Sequence, residues 1–164
     1  MTEPIAYLKG EFVPASECVL PIYDLGIVIR AAVTDFFRTF HQVPYRLEDH
    51  LQRLYRSCRY ARIEPPVSIE ESREISEKLI ANNSQLAPGE ELGLVFYMTA
   101  GENAVYAGAA GMPETLTPSY VQHTFPIRFS LFRNVFLEGV HCVPPAPHRS
   151  GLDGPALNPI VTIT

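Results

Sequence analysis

The sequence predicts an α+β fold, a small sheet carrying two helices on one face. Three observations predict it: short β-rich runs alternate with turn residues between Ile5 and Phe40, two stretches of helical periodicity lie between Leu47 and Asn83, and one nearly unbroken apolar run extends from Leu92 to Thr99. A chain of 164 residues can bury a core, since a domain of this size removes roughly 70% of its unfolded surface from water. With 46% hydrophobic and 19% charged residues, it has too much apolar material and too little self-repulsion to stay disordered throughout.

Ile5 to Leu8 is the first strand, turned back at Lys9-Gly10 into Phe12-Val13, and Cys18 to Tyr23 and Val33 to Phe40 continue the meander. From Leu47 onward, apolar residues recur at Leu51, Leu54, Tyr55, Cys58 and Ile63, close to the three-and-four spacing of one helical face. Pro65-Pro66 stops this helix, because proline lacks an amide donor and disfavours helix in the residue before it. Ser68 with Glu71 three residues later is a capping-box pattern, opening a second helix with Ile75, Leu79 and Ile80 as its buried stripe and Asn82-Asn83 as its close. Leu92 to Thr99 is too short and too evenly apolar for another helix and reads as a central strand, ended by Gly101. Gly101 to Pro118, rich in glycine, alanine and proline, reads as an irregular connector, and the domain boundary falls there. Beyond it, Tyr120 to Phe125 and Val140 to Val143 read as strands, Phe129 to Leu137 is ambiguous, and the proline-rich stretch from Pro144 onward reads as extended or coiled.

Thirteen basic residues against 18 acidic ones, a net charge of −5, remove the long-range positive field of a dedicated nucleic-acid binder, so no nucleic-acid partner is expected. The most apolar stretch, Cys18 to Val33, is interrupted by Asp24 and Arg30, whereas a bilayer needs about 20 apolar residues, so no membrane span is expected. Thr2, Glu3 and Pro4 lack the basic-then-apolar order of a secretory signal, which makes the cytoplasm the expected compartment. Cys18, Cys58 and Cys142 are odd in number and widely spaced, fitting neither a disulfide framework nor a closed zinc site; reduced, buried thiols are expected.

The segment YRLEDHLQRLYRS, Tyr45 to Ser57, resembles the hallmark of the class IV aminotransferases, the fold-type IV pyridoxal-phosphate enzymes that include branched-chain and D-amino-acid aminotransferases and aminodeoxychorismate lyase. The resemblance extends back through YLKGEFVPASECVLPIYDLG, Tyr7 to Gly26, and forward, less distinctly, to a segment ending near Arg149. It implies that residues 1–118 are the family's small N-terminal domain, that 119–149 begin the larger cofactor domain, and that 150–164 are a divergent or truncated tail. It also implies transfer of an amino group from an amino acid to a 2-oxo acid, pyridoxal phosphate as cofactor, and a homodimer; the apolar faces an isolated first half leaves uncovered point to association as well.

The resemblance places the arginine that reaches the cofactor phosphate at Arg46. A planar guanidinium offers a fork of donors to a dianionic phosphate, and a helix N-terminus beside it adds free amides and partial positive charge. On composition alone, Arg46 is an exposed arginine at a helix start. His50 and Arg53, three apart on the same helix, can meet and hold that helix against the sheet, and the resemblance makes them architectural. Arg53, Arg56, Arg59 and Arg62 form a basic stripe, read as a solvated or salt-bridged face rather than a track for RNA. Asp24 to Phe40 departs from the family pattern, with Arg30 where many relatives have glycine and Asp35 where they have glutamate. Asp35 and Arg38 are candidates to pair with each other, and with Thr34 they suit either a substrate pocket or a structural role. No arginine suited to a substrate carboxylate appears around the Leu92 strand.

His141, Cys142 and His148 match no closed metal site, so no metal is expected. No serine sits in a Gly-x-Ser-x-Gly turn, and Gly108 to Gly111 lacks the strand-to-helix setting of a phosphate loop. The family's chemistry needs a lysine that holds the cofactor as a Schiff base and shuttles the substrate α-proton. Lys9 lies in the first turn and Lys78 on the exposed side of the second helix, and neither matches the family position, which falls beyond a position like Arg149, where this sequence reads SGLDGPALNPIVTIT. The expectation is a truncated or frameshifted member, inactive as this chain. An aminodeoxychorismate lyase and a non-catalytic interaction or scaffold module stand beside it as alternatives.

Overall fold

The computed structural model describes residues 3–107 and 116–141. At its centre is a six-stranded antiparallel sheet in the order β2-β1-β6-β5-β3-β4, built from β1 Ile5–Leu8, β2 Glu11–Pro14, β3 Ala32–Phe40, β4 Val43–Pro44, β5 Leu92–Thr99 and β6 Ser119–Pro126. The Lys9-Gly10 turn closes the first hairpin with both residues at positive φ, 49° and 107°, the backbone that a two-residue hairpin loop between right-twisted strands requires. The described residues also form the helices α1 Leu25–Val28, α2 Leu47–Ala61, α3 Ile69–Asn83, α4 Ala104–Ala107 and α5 Arg133–Glu138. Among the described residues no helix is long and apolar enough to cross a membrane.

The two long helices cover one face of the sheet, as the apolar periodicity predicts. On β3, Val33 and Phe37 point to them, opposite Met98 and Leu94 of β5, and Leu51, Leu54, Cys58 and Leu79 pack down from α2 and α3. Each fully buried leucine contributes about 2 kcal/mol relative to exposure. Burial pushes the Cys58 thiol up to about 12 and so keeps it unreactive; Cys18 is half-buried, and Cys142 lies outside the described residues.

α2 ends one residue before Arg62, which takes a left-handed conformation at φ 56° and donates its amide back to the Arg59 and Cys58 carbonyls. The helix therefore stops before Pro65-Pro66 is reached. The capping box at Ser68 is present in both directions: Ser68 Oγ accepts from the Glu71 amide at 3.1 Å, and the Ser68 amide donates to Glu71 Oε2 at 2.7 Å. Ser68→Ala is expected to lower stability by about 1 kcal/mol, measured as a lower urea midpoint with an unchanged slope.

Several elements differ from the sequence expectation. Cys18 to Tyr23 is not a strand: a 3-10 turn at Ala15–Glu17 precedes it, the Asp24 amide donates back to the Pro21 carbonyl, and the Asp24 carboxylate caps α1 by accepting from the Gly26 amide. The strand at 119, which the sequence reading assigns to the start of a larger domain, lies inside this same sheet, between β1 and β5. It is held there by an eight-residue register with β5 and by polar bonds to α3. The Tyr120 hydroxyl hydrogen-bonds Ser72 Oγ, Gln122 Nε2 donates to the Ser72 carbonyl at 3.0 Å, and Ser76 Oγ donates to Gln122 Oε1 at 2.9 Å. Asn83, at the end of α3, clamps β1 by donating to the Ile5 carbonyl at 2.8 Å and accepting from its amide at 2.9 Å. The ambiguous stretch after β6 is a 3-10 turn, Phe129–Phe132, followed by the exposed helix α5. Val140 and His141 lie outside any strand; residues 142–164, which include His148 and the tail from 150, lie outside the described residues.

Candidate functional site

Strand alternation places Asp35 on the helix-covered face, between Val33 and Phe37. A carboxylate there is tolerable only if its charge is matched, and it is. Arg53 grips it with two donors, Nε to Oδ2 at 2.8 Å and Nη2 to Oδ1 at 2.6 Å, and the Phe36 amide donates to Oδ1 at 2.6 Å. His50 Nδ1 stands 2.9 Å from Asp35 Oδ1 and 3.0 Å from Arg53 Nη2, where it either donates to the one or accepts from the other, according to which ring nitrogen carries the proton. The hydrogen bond to Asp35 pushes the Arg53 guanidinium pKa up. His50 and Arg53 thus hold α2 to the sheet, as expected, and Asp35 is the group they hold.

Asp35 does not pair with Arg38. Three residues apart on a strand, they point to opposite faces, and the Arg38 guanidinium lies over the Phe40 ring at 3.9 Å and the Phe129 ring at 4.8 Å on the far side of the sheet. Thr34 donates its hydroxyl to the Phe96 carbonyl at 2.9 Å, a bond within the sheet.

Arg46 is the N-cap of α2, in a left-handed conformation at φ 53°, with its side chain 63% exposed and its Nε 2.5 Å from Asp49 Oδ2. That hydrogen bond pushes its pKa up. Glu48 and Asp49 occupy the first turn and meet the positive end of the helix dipole themselves. Arg46 lines a 420 Å³ cavity together with Tyr45, Asp49, His50, Gln52, Arg53 and Arg56. Arg53 and Arg56, which the sequence reading takes as architecture and as a solvated stripe, share this cavity. The spacing 46, 49, 53 and 56 repeats one helical face, a signal present in the sequence.

Three guanidinium groups line the cavity against Asp49 in its wall and Asp35 behind Arg53, an excess of positive charge suited to an anion with several acceptor oxygens. Neither lysine lines it: Lys9 pairs with Glu102 beside the first hairpin, and Lys78 lies over the Phe12 ring at 3.9 Å. Among the described residues no group of three or more His, Cys, Asp or Glu is placed to hold a metal.

Residues 32–133, more than half of the chain, match the family model for amino-transferase class IV. The chain is 31% identical over 77 residues to aminodeoxychorismate lyase of Bacillus subtilis (strain 168), covering 47% of this chain and 26% of that protein. It is 28% identical over 121 residues to D-alanine aminotransferase of Bacillus licheniformis, covering 73% of this chain and 40% of that protein. Among solved structures, the branched-chain amino acid aminotransferase of Escherichia coli superposes with a TM-score of 0.62 at 17% identity, over 76% of this chain and 41% of that one. A hypothetical aminotransferase of Mycobacterium tuberculosis, in its PLP-bound form, gives 0.64 at 18% identity, over 79% and 42%. The chain spans between 26% and 40% of the length of these two sequence relatives. A matched family model and a shared antiparallel sheet with its helices on one face lead to one assignment: the chain belongs to the class IV amino-transferase family.

Proposed function

We propose that this chain is the phosphate-holding small-domain portion of a pyridoxal-phosphate-dependent class IV aminotransferase, which moves an amino group from an amino acid to a 2-oxo acid. The observation that carries the reading is the arginine-lined cavity on α2, inside the segment that matches the family. Arg53 and Arg46 bind the phosphate, Arg56 adds charge, and Tyr45 walls the cavity beside Phe40, whose ring meets it edge-on at 5.1 Å. Arg53 is the better-ordered of the two phosphate ligands, because it is less exposed than Arg46 and its guanidinium is held by two bonds to a buried carboxylate.

The residues present fit the phosphate end of the cofactor and not its aldehyde end, since Lys9 and Lys78 both lie elsewhere with partners of their own. No step of the reaction is therefore assigned to this chain. In this reading neither Lys9 nor Lys78 is the amine that holds the cofactor aldehyde. A homodimer in the cytoplasm belongs to the same reading; exposed Phe36, Phe40 and Phe125, on the sheet face that the long helices leave uncovered, support the association.

A lyase acting on aminodeoxychorismate is the second reading, favoured by the 31% identity to the Bacillus subtilis protein. It shares the cofactor, and release of pyruvate by the complete enzyme separates it from a transaminase. The cavity itself is tested with pyridoxamine 5′-phosphate, which carries the phosphate and no aldehyde. Saturable quenching of its fluorescence is expected, weakened about tenfold by Arg53→Met and about threefold by Arg46→Met. Equal, linear titrations for all three proteins would remove the reading.

A further inference from the structure

The ring of Tyr7 is packed, and its hydroxyl is left over. Tyr7 is only 7% exposed and lies edge-on to Phe12 at 5.3 Å and to Tyr120 at 6.0 Å, yet its Oη has no hydrogen-bond partner among the described residues. Every sealed side-chain nitrogen or oxygen among those residues has a partner, so this oxygen is not sealed and opens on a hollow. Tyr7 lines a 460 Å³ cavity between the first hairpin, the α2–α3 connection and the segment that enters β6, within the size range of small-molecule sites, and none of its lining residues belongs to the arginine cavity. The Lys9 amide donates to the Tyr120 carbonyl at 3.0 Å, which fixes the hairpin turn at the cavity wall. In that wall Lys9 pairs with Glu102 through Oε1, and Glu71 gives Oε2 to the Ser68 amide. Glu71 Oε1, Glu102 Oε2 and Tyr7 Oη therefore remain as acceptors without a donor among the described residues. The hydrogen bonds with Ser68 hold Glu71 below the usual carboxylate range, while burial and then the Glu71 charge raise the Tyr7 phenol, so the first is an anion and the second a neutral hydroxyl.

We propose that this cavity binds a small molecule carrying a primary ammonium on an apolar body, with the ammonium donating to Glu71 and the Tyr7 hydroxyl and the body lying on Pro66, Val67 and Pro118. One lysine against two glutamates leaves the wall an excess of negative charge, and an ammonium, with three donors and no acceptor, complements the acceptors it leaves open. A metal ion fits less well, since it takes several charged or oxygen ligands at once and no group of three or more His, Cys, Asp or Glu is placed to hold one among the described residues. Simple amines and amino acids both carry the group; in an amino acid the carboxylate goes to Lys9. The proposal does not rest on the phosphate-holding role given above.

The test is titration of the full chain, followed by amide NMR shifts, with three probes of one shape: L-leucine, 3-methylbutylamine, which is leucine without its carboxylate, and 4-methylpentanoate, which is leucine without its amine. Saturable shifts at Lys9, Gly10 and Glu71 are expected from at least one ammonium-bearing probe, with a Kd of about 1 mM or tighter, and binding of 4-methylpentanoate at least about tenfold weaker. Tyr7→Phe and Glu71→Gln, the second of which keeps an oxygen for the Ser68 amide, are each expected to weaken the ammonium probe about tenfold. Tighter binding of leucine than of the amine supports the site and makes its ligand an amino acid; the reverse order supports the site and makes its ligand an amine. No saturable shift from either up to about 10 mM, or equal binding of 4-methylpentanoate, would overturn the proposal. A measurement without ligand checks the same hydroxyl: because it has no partner in the fold, Tyr7→Phe is expected to keep or raise the urea midpoint. A lowered midpoint, or a Tyr7→Phe chain that does not fold, would show that the hydroxyl is spent on structure and would also overturn it.

Discussion

Asp24→Ala is expected to lower the free energy of unfolding by about 3–5 kcal/mol, read as a large drop in the urea midpoint. The carboxylate is fully buried and accepts three hydrogen bonds: from the Gly26 amide at 2.7 Å, from Thr99 Oγ1 at 2.9 Å and from Ser119 Oγ at 3.0 Å. It thereby ties the start of α1 to the end of β5 and the beginning of β6, segments that lie 75 and 95 residues away in sequence. Alanine leaves two hydroxyls and an amide without their acceptor, and an unmet buried donor costs about 1–3 kcal/mol. Asp24→Asn keeps one acceptor oxygen and most of the shape, so about half that loss is expected. An alanine variant within 1 kcal/mol of wild type, a threshold set by the size of an ordinary surface substitution, would mean that the three segments are held by something else.

The second large effect is expected two residues beyond β5. Gly101 has φ +94°, and a Cβ built on it would lie 2.0 Å from the Thr117 carbonyl oxygen. That neighbour is backbone, so no side chain can swing aside. Gly101 also accepts the Leu25 amide at 2.8 Å and donates its own amide to Thr99 Oγ1 at 3.0 Å, which holds it against the Asp24 node. Gly101→Ala is expected to cost about 3 kcal/mol or more, from left-handed backbone strain together with overpacking. Gly10→Ala supplies the comparison. Gly10 has a similar φ of +107° with open space around it, so strain alone, about 1 kcal/mol, is expected there. Equal losses at the two glycines, measured by the same urea titrations, would show that the contact with Thr117 relaxes freely.

What the sequence shows plainly is whatever repeats locally. Leu51, Leu54 and Cys58 mark the buried side of α2, Ser68 and Glu71 mark the start of α3, and the run from Leu92 marks β5, because each signal lies within a few residues of the structure it specifies. Where β6 goes is not local. Tyr7 faces Gln122 across more than a hundred residues, and nothing near either one names the other. Ser72 and Ser76 look like solvent-side serines until Tyr120 and Gln122 arrive to meet them. Cys18, Leu20 and Ile22 alternate as a strand should, yet Pro21 and Asp24 bend the chain away from any ladder. In the site, the helix motif points to Arg46, whereas the better-held arginine is Arg53. The clue to it lay on another element: Asp35 shares the parity of Val33 and Phe37 on β3, and a charge on the buried parity of a strand calls for a buried partner.

The hydroxyl and amide bonds that key α3 to β6 have a consequence for synthesis. Tyr120 follows Ser72 by 48 residues, which at ribosomal rates is several seconds, on the order of 2–10 s, while a helix forms within about a microsecond. Until then Ser72 and Ser76 of α3 are without the Tyr120 and Gln122 side chains that they meet in the fold. Among the described strands β6 is the last to be made, and it closes the sheet between β1 and β5.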